Sequence, residues 1–246
     1  MHSLYVFDFL RTVSQQLKEH LESLPESMLN QVALNELMRF QEHSDTFQGV
    51  YVIHFKGAPV YVGKANNVAE RLSQHLDKLS GRKGIQLDQV GYKALLLDKS
   101  MSTAANEDIL ISMFKDEHQN MWNGAGFGPK DPGQQRDTTK PGKFDQLFPI
   151  IEDYPVNLDV STDGDVPLGQ MLSAMKAQLP YVFRFDVPPA ELTRKVRINR
   201  SPCPASSLLQ EAVSVLGAGW RGAVISYGMV LYKNSKHYPH GREINP

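Results

Sequence analysis

Five side chains between residues 51 and 107 have the types and the spacing needed to hydrolyse a phosphodiester bond. That reaction needs a deprotonated water, positive charge at the phosphorus centre, and groups that hold both in line. A phenol has a reference pKa near 10 and accepts the proton only with help from a cation. An arginine holds phosphate oxygens, a histidine orients water, and one carboxylate suffices for a hydrated magnesium ion. The five side chains are Tyr51, Tyr61, Arg71, His75 and Glu107.

Taken one at a time, these residues are more typical of ordinary structure. Tyrosines in strands are usually sheet aromatics, and Arg71 and His75, four apart on a predicted helix, are usually solvated. Glu107 at a helix start suits the helix dipole, and Asp108 competes with it as a metal ligand on composition alone. Lys64 could face a phosphate or lower the pKa of a neighbouring tyrosine. The functional interpretation therefore depends on their joint order and spacing.

Hydrophobic periodicity and turn residues predict the elements that position these side chains. Apolar runs bounded by turns predict strands at 49–55, 59–62 and 90–97, the first two forming a hairpin. Apolar residues at helical spacing predict helices at about 67–79 and 103–117. The candidate residues thus lie on a hairpin and on the two helices that follow it.

The flanking segments have different patterns. Residues 7–24 predict an amphipathic helix and a second helix follows Glu26; both could pack on the core, or one could pair with a second subunit. Residues 120–148 form a long loop rich in Gly and Pro, a length typical of functional or disordered segments. Its four aromatic residues argue against simple disorder.

The chain is therefore expected to contain an N-terminal helical segment (1–48), a core with its loop (49–154) and a small α+β unit (155–246). In the last unit we predict helices at 168–179 and from a cap at Ser206 or Ser207 to Leu216. The predicted strands of that unit are 181–187, 222–227 and 229–233.

Composition excludes several classes of protein. The chain of 246 residues is 41% apolar, has no run near the ~18 residues of a membrane span, and shows no signal-peptide pattern. Its one cysteine, Cys203, allows neither an intrachain disulfide nor a cysteine-rich zinc site. We expect a cytoplasmic protein with no membrane partner.

Charge is unevenly distributed along the chain. The formal net charge is −1, which gives no indication of nucleic-acid binding. Residues 49–100, however, carry a net charge of +4 and residues 181–246 a net charge of +5. These segments could form a phosphate-facing surface or a solvated mixed surface, and charge alone favours neither.

The joint pattern resembles the GIY-YIG nuclease family. Gly49-Val50-Tyr51 is followed after nine residues by Tyr61-Val62-Gly63, and then by Arg71, His75 and Glu107. Valine replaces isoleucine in both triplets, and the interval between them is slightly short. The resemblance implies an α+β fold in which helices flank a three-stranded antiparallel sheet, and an endonuclease that requires Mg²⁺ or Mn²⁺.

The resemblance also implies a role for each residue. Glu107 would bind the metal, and Arg71 would hold the phosphate. Tyr51, together with Lys64, would take the proton from the attacking water. Tyr61 and His75 would position water or phosphate, and which tyrosine is the general base stays open.

A further set of motifs resembles the restriction-endonuclease branch of that family, whose members are homodimers that cut a CG-rich palindrome. The motifs are the Glu-x-x-Leu-Ile-x-x-Phe pattern at 107–114, Trp122-Asn123, Gly126-Phe127-Gly128 and Asp131-Pro132-Gly133. In that branch the asparagine after the tryptophan belongs to the active site, which assigns that role to Asn123. The interval before the tryptophan is longer than the branch pattern, so Asn120 is a rival.

The resemblance implies that the partner is DNA, in duplex form. Candidate contacts are Arg82, Lys83, Lys130, Arg136, Lys140 and Lys143, and in the last unit Arg194, Lys195, Arg197 and Arg200. For the last four, a DNA contact and a solvated edge or loop are equally favoured. The alternatives to a restriction enzyme are a GIY-YIG nuclease of another role (repair, mobile element, phage-defence effector or toxin) and a DNA-binding module that has lost catalysis.

Overall fold

The computed structural model describes residues 2–4, 6–128, 133–159 and 164–246. Lys130 and the Asp131-Pro132 pair of the predicted motif lie outside the described residues. The chain divides into two compact units. The N-terminal unit contains residues 1–80 and 85–128, and the C-terminal unit contains residues 81–84 and 129–246.

The N-terminal unit is an antiparallel sheet with helices on both faces. The strands lie in the order β1-β4-β2-β3, so β3 is an edge strand. The strands are β1 (Ser27–Met28), β2 (Gly49–Phe55), β3 (Ala58–Ala65) and β4 (Val90–Leu96). The helices are α1 (Phe9–Ser23), α2 (Gln31–Ser44), α3 (Val68–Ser80), α4 (Lys99–Ala104) and α5 (Glu107–Glu117). A single 3-10 turn, Leu87–Gln89, precedes β4. The predicted α+β class is confirmed, and the sheet has a fourth strand, β1, that the sequence did not predict.

The two faces of the sheet pack against different helices. Val50 and Val52 of β2 point to one face, where they pack with Leu17 of α1 and Phe114 of α5. Successive side chains of a strand alternate between faces. Tyr51 therefore points to the other face, which α3 covers. This alternation separates an apolar core from the tyrosine side of the hairpin.

Local capping explains why the helix predicted at 103–117 is two helices. Ala105 has an extended backbone, with φ −65° and ψ 114°, which ends α4. The side chain of Asn106 then accepts a hydrogen bond from the backbone N–H of Ile109 at 3.0 Å and so begins α5. The break places Glu107 in the first turn of a helix, at a corner of the chain.

The C-terminal unit contains a second four-stranded sheet, in the order β12-β10-β11-β7, and two pairs of short strands. Its strands are β5 (Pro155–Val156), β6 (Asp165–Pro167), β7 (Val182–Phe185), β8 (Lys195–Arg197), β9 (Cys203–Pro204), β10 (Trp220–Ile225), β11 (Gly228–Lys233) and β12 (Arg242–Ile244). Its helices are α6 (Lys143–Leu147), α7 (Leu168–Gln178), α8 (Pro189–Leu192) and α9 (Ala205–Leu216), with a 3-10 turn at Gln134–Arg136. Apolar faces of α7 and α9 form one core with this sheet.

The compact units divide the chain differently from the three parts expected from the sequence. Helices α1 and α2 belong to the same unit as the first sheet, because Leu17 and Leu21 of α1 pack against the sheet and α2 packs against α3. Residues 129–154 belong to the C-terminal unit, because Ile150 lies in its core.

Two smaller expectations are corrected by the structure. Neither Ser206 nor Ser207 caps α9: the cap position is Pro204, and the Ser206 hydroxyl donates to Asp153 instead. The loop expected at 120–148 contains the 3-10 turn and α6. In the part of the chain that the structure describes, every helix is too short or too polar to cross a bilayer.

Candidate active site

The phenol rings of Tyr51 and Tyr61 stand on adjacent strands of the hairpin with their centroids 6.2 Å apart. Tyr51 pairs with Gly63 across the hairpin. A side-chain carbon added to Gly63 would lie 2.3 Å from the hydroxyl oxygen of Tyr51, far inside van der Waals contact. The phenol thus occupies the space above Gly63, which explains why a glycine must follow the second tyrosine at this spacing.

His75 is the buried partner of Tyr51. Its Nε2 lies 2.8 Å from the Tyr51 hydroxyl oxygen, and the residue is 2% exposed. Burial, followed by the positive charges of Arg71 and Lys78, lowers the pKa of His75 to about 3. The imidazole is therefore neutral at physiological pH and can accept the hydroxyl proton of Tyr51 in the tautomer that leaves Nε2 unprotonated.

Burial also controls the two phenols, because it raises the pKa of both Tyr51 and Tyr61 above the ordinary value. The Arg71 guanidinium lies close enough to lower both pKa values, while the Glu107 carboxylate raises them. Both phenols consequently hold their protons at neutral pH. Either one needs additional positive charge nearby before it can accept a proton from water.

Arg71 projects from α3 toward the same tyrosines. Its Nη2 donates to the carbonyl oxygen of Gly128 at 2.7 Å, and its Nη1 donates to Gln74 at 3.0 Å. The side chain is half-buried, so part of the guanidinium remains open to solvent. An arginine held by one edge in this way can present its remaining N–H groups to a phosphate.

Glu107 is joined to the hairpin by a backbone contact. The N–H of Lys64 on β3 donates to Glu107 Oε1 at 3.2 Å. The ammonium of Lys64 turns away from the phenols and donates to the carbonyl oxygens of Ser102 and Ala105, the latter at 3.0 Å. Lys64 therefore ties the corner between α4 and α5 to β3, and so holds Glu107 in place.

Asn123 completes the outer edge of β3. Its Oδ1 accepts from the N–H of Val62 at 2.9 Å, and its Nδ2 donates to the carbonyl oxygen of Val62 at 2.8 Å. The buried amide thus pairs with the backbone of β3 as a neighbouring strand would. Asn120, the rival candidate, is exposed. Of the two asparagines, the structure therefore places Asn123 beside the hairpin.

The sequence pattern does not assign Phe127 to the site, although this residue lies within the Gly126-Phe127-Gly128 motif. Its ring stacks on His75 with centroids 4.9 Å apart and meets Tyr61 edge-on at 5.1 Å. It therefore supplies much of the burial that keeps His75 neutral. Gly128, with φ +97°, lies next to the phenol of Tyr61, where an added side-chain carbon would be 2.7 Å from the hydroxyl oxygen. The aromatic residue between two glycines was the available sequence signal.

Residues 47–120 match the model of the GIY-YIG catalytic domain. This segment is thus a nuclease domain, and the prediction of a nuclease core is confirmed for the matched residues. They include all five side chains singled out by chemistry, whereas Asn123 and Phe127 lie beyond the match. Among curated proteins, no sequence matches the chain.

Nucleases with a GIY-YIG domain generally depend on a divalent metal, and Glu107 fits that need. Its carboxylate lies near both phenols and has no ion-pair partner among the described side chains. One carboxylate is enough for a magnesium ion that keeps most of its water. The other possible ligand group found in the described residues, Glu22, Glu117 and His118, lies at the far end of α5. There the Lys18 ammonium already contacts both carboxylates, at 2.7 and 2.9 Å.

One predicted DNA contact is corrected by the structure. Arg82 is 2% exposed, and its Nη1 lies 2.8 Å from Asp145 Oδ1 and 3.0 Å from the carbonyl oxygen of Phe148. A guanidinium in a buried ion pair is not available to a phosphate, so Arg82 is not a DNA contact. Its neighbour Lys83 is exposed and lies 3.5 Å from Glu152.

The other candidate contacts described by the structure are all exposed. Arg194 and Lys195 have acidic partners, because they lie within ion-pair distance of Glu191 and Asp165 respectively. The candidates without an ion pair among the described residues are Arg136, Lys140, Lys143, Arg197 and Arg200.

Proposed function

We propose that the chain is a metal-dependent endonuclease that hydrolyses DNA phosphodiester bonds, and that it acts as a homodimeric type II restriction enzyme in phage defence. The observation that carries the catalytic part is the convergence of one carboxylate, one arginine and a hydrogen-bonded Tyr51–His75 pair within the GIY-YIG segment. These are the groups that phosphodiester hydrolysis requires.

We assign the general base to Tyr51. Its hydroxyl, unlike that of Tyr61, has a neutral imidazole at hydrogen-bonding distance. In the attack, the water oxygen forms a bond to phosphorus and the 3′ oxygen leaves with the electron pair of its bond. As the proton of the water passes to the oxygen of Tyr51, the hydroxyl's own proton passes to Nε2 of His75, so the phenol stays neutral and the imidazole becomes positively charged. Tyr61 stands beside this pair and positions water or phosphate.

Arg71 holds the phosphate and Glu107 holds the metal. The guanidinium neutralises oxygens of the phosphate, and its bond to Gly128 fixes the direction in which it points. When bound at Glu107, a divalent cation supplies positive charge to the phosphorus centre and the leaving 3′ oxygen. Lys64 and Asn123 position these groups through the backbone of β3.

The restriction role is supported by residues that follow the matched segment. Asn123, Phe127 and Gly128 belong to the motifs that resemble the restriction branch, and each contacts a catalytic residue or its strand. A palindromic target would fit a two-fold dimer. Alpha-helix α1 has exposed apolar residues near its start, Phe9 and Leu10, where a second copy could pack.

The catalytic assignment is tested by Glu107→Gln, with Asp108→Asn as its matched control. Both residues lie in the first turn of α5, and Asp108 is exposed. We expect Glu107→Gln to reduce plasmid cleavage in magnesium at least about a hundredfold, with unchanged DNA binding in EDTA. Asp108→Asn should retain cleavage. Full cleavage by Glu107→Gln would remove the assignment.

The restriction role is tested by the products of cleavage. A type II restriction enzyme converts duplex plasmid into discrete fragments with defined ends. A smear, or cleavage of single strands alone, would instead assign the nuclease to another role. Light scattering of the Glu107→Gln variant, bound to a duplex that the unchanged protein cleaves, measures the oligomeric state and so tests the homodimer.

A further inference from the structure

We infer that residues 133–143 form a phosphate-binding surface through which the C-terminal unit holds the DNA substrate. We call this segment the 133–143 loop. The inference rests on the proposed function, since it names the part of the molecule that binds the same DNA. It gives the C-terminal unit a role and identifies two buried acidic residues that shape the surface. The relevant charged residues are Arg136, Asp137, Lys140, Lys143 and the following Asp145.

The loop displays only positive charge, although its sequence is mixed. Between residues 133 and 148 there are three basic and two acidic residues. The three basic residues are exposed, whereas Asp137 and Asp145 are 5% and 6% exposed. Both carboxylates face inward, so they do not neutralise the surface on which the basic side chains stand.

Each buried carboxylate is paired with an arginine of the same unit. Asp137 Oδ1 accepts hydrogen bonds from Arg184 of β7 and from the hydroxyl of Tyr227, the latter at 2.9 Å. Asp145 accepts from Arg82 at 2.8 Å. The two acidic residues therefore anchor the loop at both sides of Lys140. Since these ion pairs neutralise charge in the interior, the outer charge of the segment is +3.

Backbone hydrogen bonds give the loop a defined shape between its anchors. The N–H of Arg136 donates to the carbonyl of Gly133 at 3.1 Å. The N–H and the hydroxyl of Thr139 both donate to the carbonyl of Arg136, at 3.1 and 2.8 Å. A surface that is ordered before binding loses less conformational entropy when it binds a ligand.

Among the described residues of the unit, several other basic side chains lie beside carboxylates. Arg194 and Lys195 lie beside exposed or half-buried carboxylates that neutralise them. Lys83 and Arg242 share Glu152.

Arg197 and Arg200 also have no ion pair among the described residues, but Arg197 stands opposite the partly exposed Asp165 across β6 and β8. In the 133–143 loop, by contrast, the acidic residue is buried and the basic residues are exposed.

The charges of the two units explain why a nuclease would need such a surface. The N-terminal unit has 10 Lys and Arg against 15 Asp and Glu, a net charge of −5. The C-terminal unit has 16 against 12, a net charge of +4. A polyanion is repelled by the net charge of the first unit, so attraction must come from local basic groups or from the second unit.

The test compares two triple variants of the full chain that remove equal charge from the same unit. Arg136→Ala/Lys140→Ala/Lys143→Ala removes the loop surface, and Lys176→Ala/Lys233→Ala/Lys236→Ala removes three other exposed lysines. Binding of a labelled duplex is measured by anisotropy in EDTA between 50 and 200 mM salt. For the loop variant we expect affinity to fall about tenfold or more, with a salt slope smaller by roughly 2 to 3. The control variant should bind within about twofold of the unchanged protein.

The outcomes separate this inference from the proposed function. If the unchanged protein cleaves DNA but both triple variants bind equally well, the loop is not the phosphate surface and the inference fails alone. An equal loss in both variants also overturns it, because a general charge effect would then explain binding. If the unchanged protein neither binds nor cleaves DNA, the proposed function itself fails. Near-ultraviolet circular dichroism of each variant checks that the C-terminal unit is folded.

Discussion

At the scale of single residues, the buried His75 couples the stability of the N-terminal unit to pH. Its pKa is about 3 in the folded chain, against 6.5 for an exposed histidine. Below about pH 6.5 the unfolded chain binds a proton that the folded chain does not bind. This histidine therefore lowers the free energy of unfolding by up to roughly 1.4 kcal/mol per pH unit as the pH falls from 6.5 toward 3.

Urea denaturation at pH 7.5, 6.0 and 5.0 measures this dependence. A Trp220→Phe background leaves Trp122, in the N-terminal unit, as the one remaining tryptophan. His75→Gln in that background should show a shallower decline between pH 7.5 and 5.0. The contribution of His54, whose pKa burial lowers to about 4, is common to both proteins and cancels in the difference. Parallel declines would show that His75 is not held neutral.

Lys64 provides a second prediction about a single residue. Its ammonium binds the carbonyl oxygens of Ser102 and Ala105 at the end of α4. Lys64→Met should therefore slow cleavage by about ten- to a hundredfold by loosening the position of Glu107. The pH dependence of kcat should keep its shape.

If Lys64 instead lowered the pKa of Tyr51, the rise of kcat with pH would move to higher pH in Lys64→Met. That shift would contradict the positioning role. Lys64→Arg is the matched variant, since it keeps the charge and several donors to the carbonyl groups and should recover part of the rate.

Order and spacing predicted which side chains lie together, whereas residue types did not predict the surroundings of each charge. Tyr51, Arg71 and Glu107 belong to one sequence pattern, and the fold brings them near one another. The burial of Arg82 was not predictable, because its partner, Asp145, is 63 residues away in the sequence. Charge in a sequence does not reveal whether the side chain faces water or an ion-pair partner.

At the scale of elements, the backbone hydrogen bonds at the outer edge of β3 are made by the side chain of Asn123. Asn123→Ala removes both hydrogen bonds to the backbone of Val62 and leaves a buried N–H and C=O unpaired. Each unpaired group costs about 1 to 3 kcal/mol. We expect the free energy of unfolding to fall by about 2 to 6 kcal/mol and cleavage to decrease with it. Urea denaturation followed by the fluorescence of Trp122 measures the change.

Asn120→Ala is the matched control for the edge of β3, because it removes the same side chain three residues earlier at an exposed position. It should unfold and cleave like the unchanged protein. The reverse order of effects would assign the site asparagine to Asn120.

Elements with a clear hydrophobic pattern and turn residues at their ends were predicted closely. Elements that exist only through contacts with distant parts of the chain were not. Strand β2 begins and ends at the predicted residues, Gly49 and Phe55, because turns bound it on both sides. Strand β1 has two residues and exists through its pairing with β4, so no local pattern indicates it. The break between α4 and α5 depends on the cap at Asn106, which lies inside a continuous helical pattern.

The anchored loop of the C-terminal unit gives a further prediction at this scale. Asp137→Asn removes the carboxylate charge that pairs with the partly buried guanidinium of Arg184 and so weakens that contact. We expect amide hydrogen exchange of residues 133–140 to accelerate, because the loop loses one of its two anchors. Tyr227→Phe removes only the hydroxyl contact and should cause a smaller increase. Unchanged exchange in Asp137→Asn would mean that the carboxylate does not hold the loop.

At the scale of the whole molecule, the proposed active site and the proposed phosphate-binding surface lie on different units. The candidate active site lies entirely in the unit of net charge −5, and the loop surface lies in the unit of net charge +4. Binding and the chemical step should consequently respond to different substitutions. A mutation that removes an interaction present equally in the bound substrate and the transition state changes KM and leaves kcat unchanged.

This division predicts opposite kinetic signatures for two variants of the full chain. The loop triple variant should raise KM for duplex DNA about tenfold or more while kcat stays within about twofold. Glu107→Gln should reduce kcat at least about a hundredfold and leave the dissociation constant in EDTA unchanged. Combining them should multiply the two effects, since substitutions without shared partners are additive in free energy. A loop variant with a low kcat at saturating DNA would contradict the division, because its basic side chains would then act on the transition state.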